Sequence, residues 1–187
     1  MILIAGLGNP TPQYERTRHN IGREVGMEFQ KFSGFPAPHF EKKLQALISE
    51  GRIGKEKIVV VFPEMGMNKS GAPLKAAARK YRARPDHIFI IHDDADIMLG
   101  RTKLSFGRHA AGHKGVASIL TALGTRDVWR FRIGIAGKRD IPAQKLVLKK
   151  WTTAELPLAR KTIKKTVAAL KTVITETPEK TMNEYNR

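Results

Sequence analysis

Position 19 is a histidine, and its surroundings make proton transfer the first chemistry to consider. An unperturbed imidazole changes charge at about pH 6.5, so His19, in the run Thr17-Arg18-His19-Asn20-Ile21-Gly22, could accept a proton near neutrality. A solitary histidine is more often structural; the balance changes when an acid can reach it. Asp93, Asp94 and Asp96 follow an apolar run at 87–91, and in an α/β sheet the ends of such strands gather around one crevice. One of these acids could orient His19 and stabilise its protonated form, as a base that activates water requires.

A second group of residues lies in the turn Gly6-Leu7-Gly8-Asn9-Pro10, where glycines directly after a strand let the backbone bend close to a ligand. A dinucleotide fingerprint would need glycine at position 11, which is Thr11, and Pro10 with Pro12 opposes a helix opening there. Asn9 and Asn68 each carry an amide that donates and accepts, so together they could hold a peptide carbonyl and its amide. Asn68 could instead cap the helix that follows it. His92, Asp93, Asp94, Asp96, His109 and His113 offer metal ligands, but no helical histidine pair or compact motif of fixed spacing joins them. Neither a metal nor an organic cofactor is expected.

These groups are far apart in the chain, so regular elements must bring them together. Apolar strands are expected at 2–5, 87–91, 103–106 and 129–136, and helices at about 20–32, from 68–71 onward and after Gly115. The stretches 44–49 and 58–62, separated by Gly51 and Gly54, read as an antiparallel hairpin, so the sheet should be mixed. Leu74, Ala78 and Tyr81 share one face of the second helix, with Pro73 tolerated in its first turn. The last long helix carries an apolar stripe of Ile163, Val167, Leu170 and Ile174 opposite Arg160, Lys161, Lys164 and Lys171. Thr152 and Glu155 fit a capping box at its start, and the tail at 178–187 is expected to be loosely ordered. The whole describes one α/β domain, a mixed twisted sheet flanked by helices.

Composition narrows the partner. Hydrophobic residues at 41% and charged residues at 27% are those of a folded globular chain. The absence of cysteine removes disulfides and thiolate sites and fits a reducing compartment. The apolar run at the N-terminus is too short for a signal peptide or membrane span. Lys and Arg number 34 against 17 Asp and Glu, a net charge of +17 that points to a polyanion, nucleic acid first. No long run of like charge stands alone, so the fold must assemble the binding surface.

In order and spacing, these segments resemble the bacterial peptidyl-tRNA hydrolases from Met1 to about Leu170. Gly8-Asn9-Pro10 with Tyr14 and Thr17-Arg18-His19-Asn20 is similar to the family's first signature, Met67-Asn68-Lys69-Ser70-Gly71 to the second, and His92-Asp93-Asp94-Ala95-Asp96 to its acidic strand end. The resemblance implies His19 as catalytic base, Asp93 as its support, and Asn9 as the residue that separates blocked peptidyl-tRNA from free aminoacyl-tRNA. It implies Asn68 and Tyr14 at the substrate, and Lys103 and Arg132 toward RNA. The chain departs from the family at Lys114, where the third signature has asparagine, at Gly66, where the second has an aromatic residue, and at Thr11, where glycine is usual. Lys114 and Gly66 stand at substrate-contacting positions. The implied activity is metal-independent hydrolysis of the ester joining peptide to tRNA, which returns tRNA from stalled or aborted translation, by a cytoplasmic monomer with no membrane partner. A catalytically weakened RNA-binding homologue is the alternative that these departures leave open.

The charge yields a first prediction. The logarithm of the tRNA association constant should fall linearly with the logarithm of salt concentration, and Lys103→Ala or Arg132→Ala should flatten the slope by roughly one counterion each. A filter-binding titration over a range of salt measures both; a salt-independent affinity would show that the +17 charge does not serve RNA.

Overall fold

The computed structural model describes residues 1–137 and 141–186. Strand β1, Ile2–Gly6, is buried at every position, because strands parallel to it flank it on both sides: β4, Glu56–Pro63, and β5, Ile88–Met98. Beyond β5 come β7, Trp129–Ala136, in parallel and β6, Thr102–Phe106, antiparallel to it. Beyond β4 come β3, Ala46–Ile53, and β2, His39–Glu41, in antiparallel succession. The seven-stranded sheet runs β2-β3-β4-β1-β5-β7-β6 and is mixed, as the antiparallel hairpin leads one to expect.

Helices on both faces explain why the central strands are apolar throughout rather than alternating. On one face lie α1, Ile21–Phe32, which buries Ile21, Val25 and Phe29 at four-residue intervals, and α5, Leu156–Thr175, which buries Val167, Leu170, Val173 and Ile174. On the other lie α2, Gly71–Tyr81, and α3, Lys114–Leu123, which bring Leu74, Ala77, Val116 and Ile119 against Leu3, Val59 and Ile90. Each large apolar side chain fully withdrawn from water contributes about 1.5–3 kcal/mol. The sheet therefore divides the interior into two apolar layers, and the carboxyl ends of β1 and β5 open between them. Two short helices complete the chain: α4, Ala143–Leu146, and α6, Pro178–Tyr185.

Several elements differ from the sequence reading. The hairpin is longer than expected, and β2 was not anticipated; its three residues are largely exposed and carry no apolar pattern. Strand β5 continues to Met98, so Asp93, Asp94 and Asp96 lie within the strand and not beyond it, with a register shift between Asp94 and Met98. Only half of the capping box forms: the Glu155 carboxylate accepts the Thr152 N–H at 2.9 Å. Helix α5 starts at Leu156, and the Thr152 hydroxyl donates to the Glu155 carboxylate at 2.8 Å instead of accepting a backbone N–H. The stretch expected to be loosely ordered is largely helix α6, started by Thr177, whose hydroxyl accepts the Lys180 N–H. Asn186 anchors its far end by exchanging two hydrogen bonds with the backbone of Leu104; Arg187 lies outside the described residues.

Helix α1 reaches the sheet at Gly22, where a Cβ would lie 2.2 Å from the Ile91 carbonyl oxygen and 2.9 Å from that of Leu7. The next residue, Arg23, donates its N–H to Leu7 at 2.7 Å. Glycine lets the helix that follows His19 rest directly on the ends of β1 and β5. Gly22→Ala should lower unfolding free energy by about 1–3 kcal/mol, since the clash is with backbone that cannot rotate away. Urea denaturation measures this, and unchanged stability would mean that α1 shifts at no cost.

Candidate active site

His19 stands in a short turn, residues 18–20, between the β1 loop and α1, and its ring reaches Asp93 on β5. His19 Nδ1 lies 2.8 Å from Asp93 Oδ1. A carboxylate only accepts, so the proton is on Nδ1, and Nε2 keeps its lone pair at the cleft. The same Oδ1 receives His113 Nε2 at 2.9 Å. His113 is the N-cap of α3, and its Nδ1 accepts the N–H groups of Gly115 and Val116 at 3.1 and 3.2 Å. Those two donors fix its tautomer: Nδ1 is the acceptor, and Nε2 carries the hydrogen given to Asp93. Burial alone would push the Asp93 carboxyl up, but the hydrogen bonds from His113 and His19 outweigh it and hold it well below the usual carboxylate range. His92, fully buried, is pushed well below the usual imidazole range chiefly by loss of water and stays neutral. It gives its Nδ1–H to the Asp93 carbonyl at 2.7 Å and packs edge-on against His113.

His19, Asp93 and His113 bring three ligand atoms within 4.8 Å of one another, close enough to suggest a metal site. The donor chemistry opposes it. Coordination by His113 Nε2 would require the lone pair there and the hydrogen on Nδ1, against two backbone N–H groups that already point at it. Of the other ligand candidates, His109 is exposed and pairs with Arg126, and Asp96 is exposed.

A cleft of about 300 Å³ opens over His19 and Asp93, walled by Asn9, Tyr14, Met67, His113, Lys114 and the stretch 143–148. A second hollow adjoins it, lined by Thr11, Glu64, Gly66 and Asn68, and shares Asn9, Tyr14, Met67 and Lys114 with the first. Asn9 is held at the divide. Its N–H goes to Asn20 Oδ1 at 2.8 Å, its carbonyl takes Asn20 Nδ2 at 3.0 Å, and its own Oδ1 takes the Met67 N–H at 3.0 Å. Its acceptor is thus already engaged, which leaves the Asn9 NH₂ as a donor at the cleft. Asn68 is exposed, in a turn at 67–69, and makes no capping bond to α2. It lines only the second hollow, where Asn9 also forms part of the wall. A Cβ at Gly66 would meet nothing nearer than Asn68 Oδ1 at 3.4 Å, so the missing side chain is open space. Lys114, the first residue of α3, is exposed and makes no ion pair among the described residues.

Lys103 and Arg132 lie outside the cleft as cross-strand neighbours on β6 and β7. Arg132 donates Nε to Asp94 Oδ2 at 2.7 Å, which places it against the cleft's acidic side, and Lys103 is exposed. The sequence reading missed three contributors. His113 was weighed only as a ligand; its signal was a histidine just before a helix start. The Met67 N–H and the wall at 143–148 carry no side-chain signal.

An acid-oriented histidine at the strand ends of an α/β sheet is an arrangement that can take a proton from water. The family model described as peptidyl-tRNA hydrolase matches residues 3–187. The peptidyl-tRNA hydrolase of Desulfitobacterium hafniense is 35% identical, covering 100% of both chains, and that of Carboxydothermus hydrogenoformans is 34% identical over 100% of this chain and 99% of its own. The crystal structure of peptidyl-tRNA hydrolase from Acinetobacter baumannii superposes with a TM-score of 0.92 at 27% identity, covering 100% of this chain and 94% of that one. The chain belongs to the peptidyl-tRNA hydrolase family.

Because Asp93 titrates lower when folded than unfolded, its contribution to stability is present above the unfolded value of about 4 and is lost as pH falls toward the folded one. The stability gap between wild type and Asp93→Asn should therefore narrow as pH falls from about 5 to about 3. Urea midpoints across that range test it; a gap constant with pH would mean that the two imidazole bonds do not depress Asp93.

Proposed function

We infer that this protein hydrolyses the ester bond between peptide and tRNA in peptidyl-tRNA, with His19 as general base. The observation that carries the reading is the His19 Nδ1 to Asp93 Oδ1 contact, which leaves Nε2 free at the cleft. His19 Nε2 takes a proton from water as the water oxygen bonds to the ester carbonyl carbon. Asp93 stabilises the imidazolium that forms. When the tetrahedral intermediate collapses, the bond to the ribose oxygen breaks and that oxygen takes the proton back from His19, releasing the peptide acid and tRNA. General-base help of this kind contributes about 10²- to 10⁴-fold in rate.

Asn9 supplies discrimination through the orientation of its amide. With its oxygen receiving the Met67 N–H, the Asn9 amide is oriented so that its NH₂ can donate to the carbonyl of a blocked amine. A free α-ammonium carries only donors and a positive charge, so it would set donor against donor, with Lys114 adding a second positive charge at the divide. Tyr14 lines both hollows; Asn68 and Gly66 serve the second one. Lys103, Arg132 and Lys114 meet tRNA phosphates, which positions the acceptor end without reading base sequence.

Nothing favours the catalytically weakened alternative. We take the enzyme to act as a cytoplasmic monomer: its substrate is made there, and both apolar layers close within one chain. Among the described residues no helix is long and apolar enough to cross a membrane.

Purified protein should release the acyl group from N-acetyl-aminoacyl-tRNA and spare the unblocked form, and His19→Ala should lower kcat by about 10²-fold or more while tRNA binding persists. Equal cleavage of both substrates would remove the role given to Asn9. Full activity in His19→Ala would remove the assigned base.

A further inference from the structure

We propose that Arg18 is a positioning residue that locks His19 to the cleft wall at 143–148 through Glu155 and Trp151. The proposal rests on His19 being the base. Arg18 is buried, its side chain 5% exposed, although it precedes a cleft residue in a turn. Its Nη2 donates to both Glu155 oxygens at 2.9 Å, and its guanidinium carbon lies 4.6 Å from the centre of the Trp151 ring. The backbone repeats the connection. Arg18 N–H donates to Lys149 O at 3.0 Å, His19 N–H donates to Val147 O at 2.9 Å, and Thr17 bridges to Lys150. Residues 17–19 are therefore tied along 147–150 by one isolated bridge and two backbone hydrogen bonds, and Val147 and Leu148 in that stretch line the cleft with Ala143 and Gln144. The ring of His19 and the apolar wall facing it share one anchor.

The energetics favour placement over stability as what this pair supplies. Burying a guanidinium costs several kcal/mol, and an ion pair recovers that only with full satisfaction. Arg18 leaves Nε and Nη1 without a hydrogen bond among the described residues, so its satisfaction is partial. What the pair supplies is direction. The carboxylate is fixed in its turn by the Thr152 N–H and hydroxyl, at 2.9 and 2.8 Å, and the flat guanidinium is clamped over a ring, so both ends resist rotation. A lysine would keep the charge but neither the plane over Trp151 nor the spread of donors.

The test uses the double variant Arg18→Met/Glu155→Leu, which removes the pair without stranding a buried charge, together with Arg18→Lys. Three quantities are measured: kcat and KM on N-acetyl-aminoacyl-tRNA, the urea midpoint, and the low-field proton resonance of His19 Nδ1–H, assigned by its loss in His19→Ala. Misplacing a reacting group by about an ångström can cost about 100-fold, so the folded double variant should lose about 10- to 100-fold in kcat with a much smaller change in KM. Its His19 resonance should shift or broaden, and Arg18→Lys should recover part of kcat. A folded double variant with wild-type kcat and an unaltered resonance overturns the proposal, as does a change in KM alone. If the double variant does not fold, Arg18→Lys decides: lowered kcat with an altered resonance supports the proposal, and wild-type values of both reject it. Full activity in His19→Ala rejects the base assignment, whereas the resonance still reports whether Arg18 holds the ring.

Discussion

A single carboxylate oxygen, Asp93 Oδ1, accepts hydrogen bonds from two imidazoles in a place where water scarcely reaches. Three parts of the molecule must agree for that to happen. Strand β5 has to deliver Asp93 to the open end of the sheet, the turn before α1 has to aim His19 from one face, and the start of α3 has to aim His113 from the other. Because His113 spends its second nitrogen on the α3 backbone, its Nε2–H is fixed toward Asp93.

Much of this was legible in the residues, and what escaped follows from the range of the forces involved. Runs such as 58–62 and 88–91 announce buried strands because burial on both faces demands continuous apolar sequence. Trp129–Ala136 matches the expected strand end to end. Helix α6 escaped although Thr177 caps it locally; its far end is held by Asn186 meeting Leu104, 82 residues away. Thr152 and Glu155 have the spacing of a capping box, but Arg18, 137 residues away, shares the carboxylate with the Thr152 N–H, and local spacing cannot reveal such a partner. The site shows the same division. His19 and Asp93 stood out by chemistry, while the orientation of the Asn9 amide depends on a backbone N–H at Met67 that no side-chain pattern encodes.

The departures from the family pattern, Thr11, Gly66 and Lys114, line the hollows and leave the Asp93 cluster intact. Gly66 removes bulk from the second hollow, and Lys114 places a flexible cation where the two hollows meet. Neither touches the oxygen that orients His19.

The Asn186 amide, donating to and accepting from the backbone of Leu104, occupies the place that a neighbouring strand would take beside β6. β6 is an outermost strand, and unpaired backbone groups along such a margin are the template by which separate molecules join into extended sheets. One side chain closes the middle of that margin, and α6 covers its approach. Any partly folded form in which α6 has not yet docked therefore exposes a ready seam for self-association, and the terminal helix acts as a guard on solubility for a strand it follows by many residues.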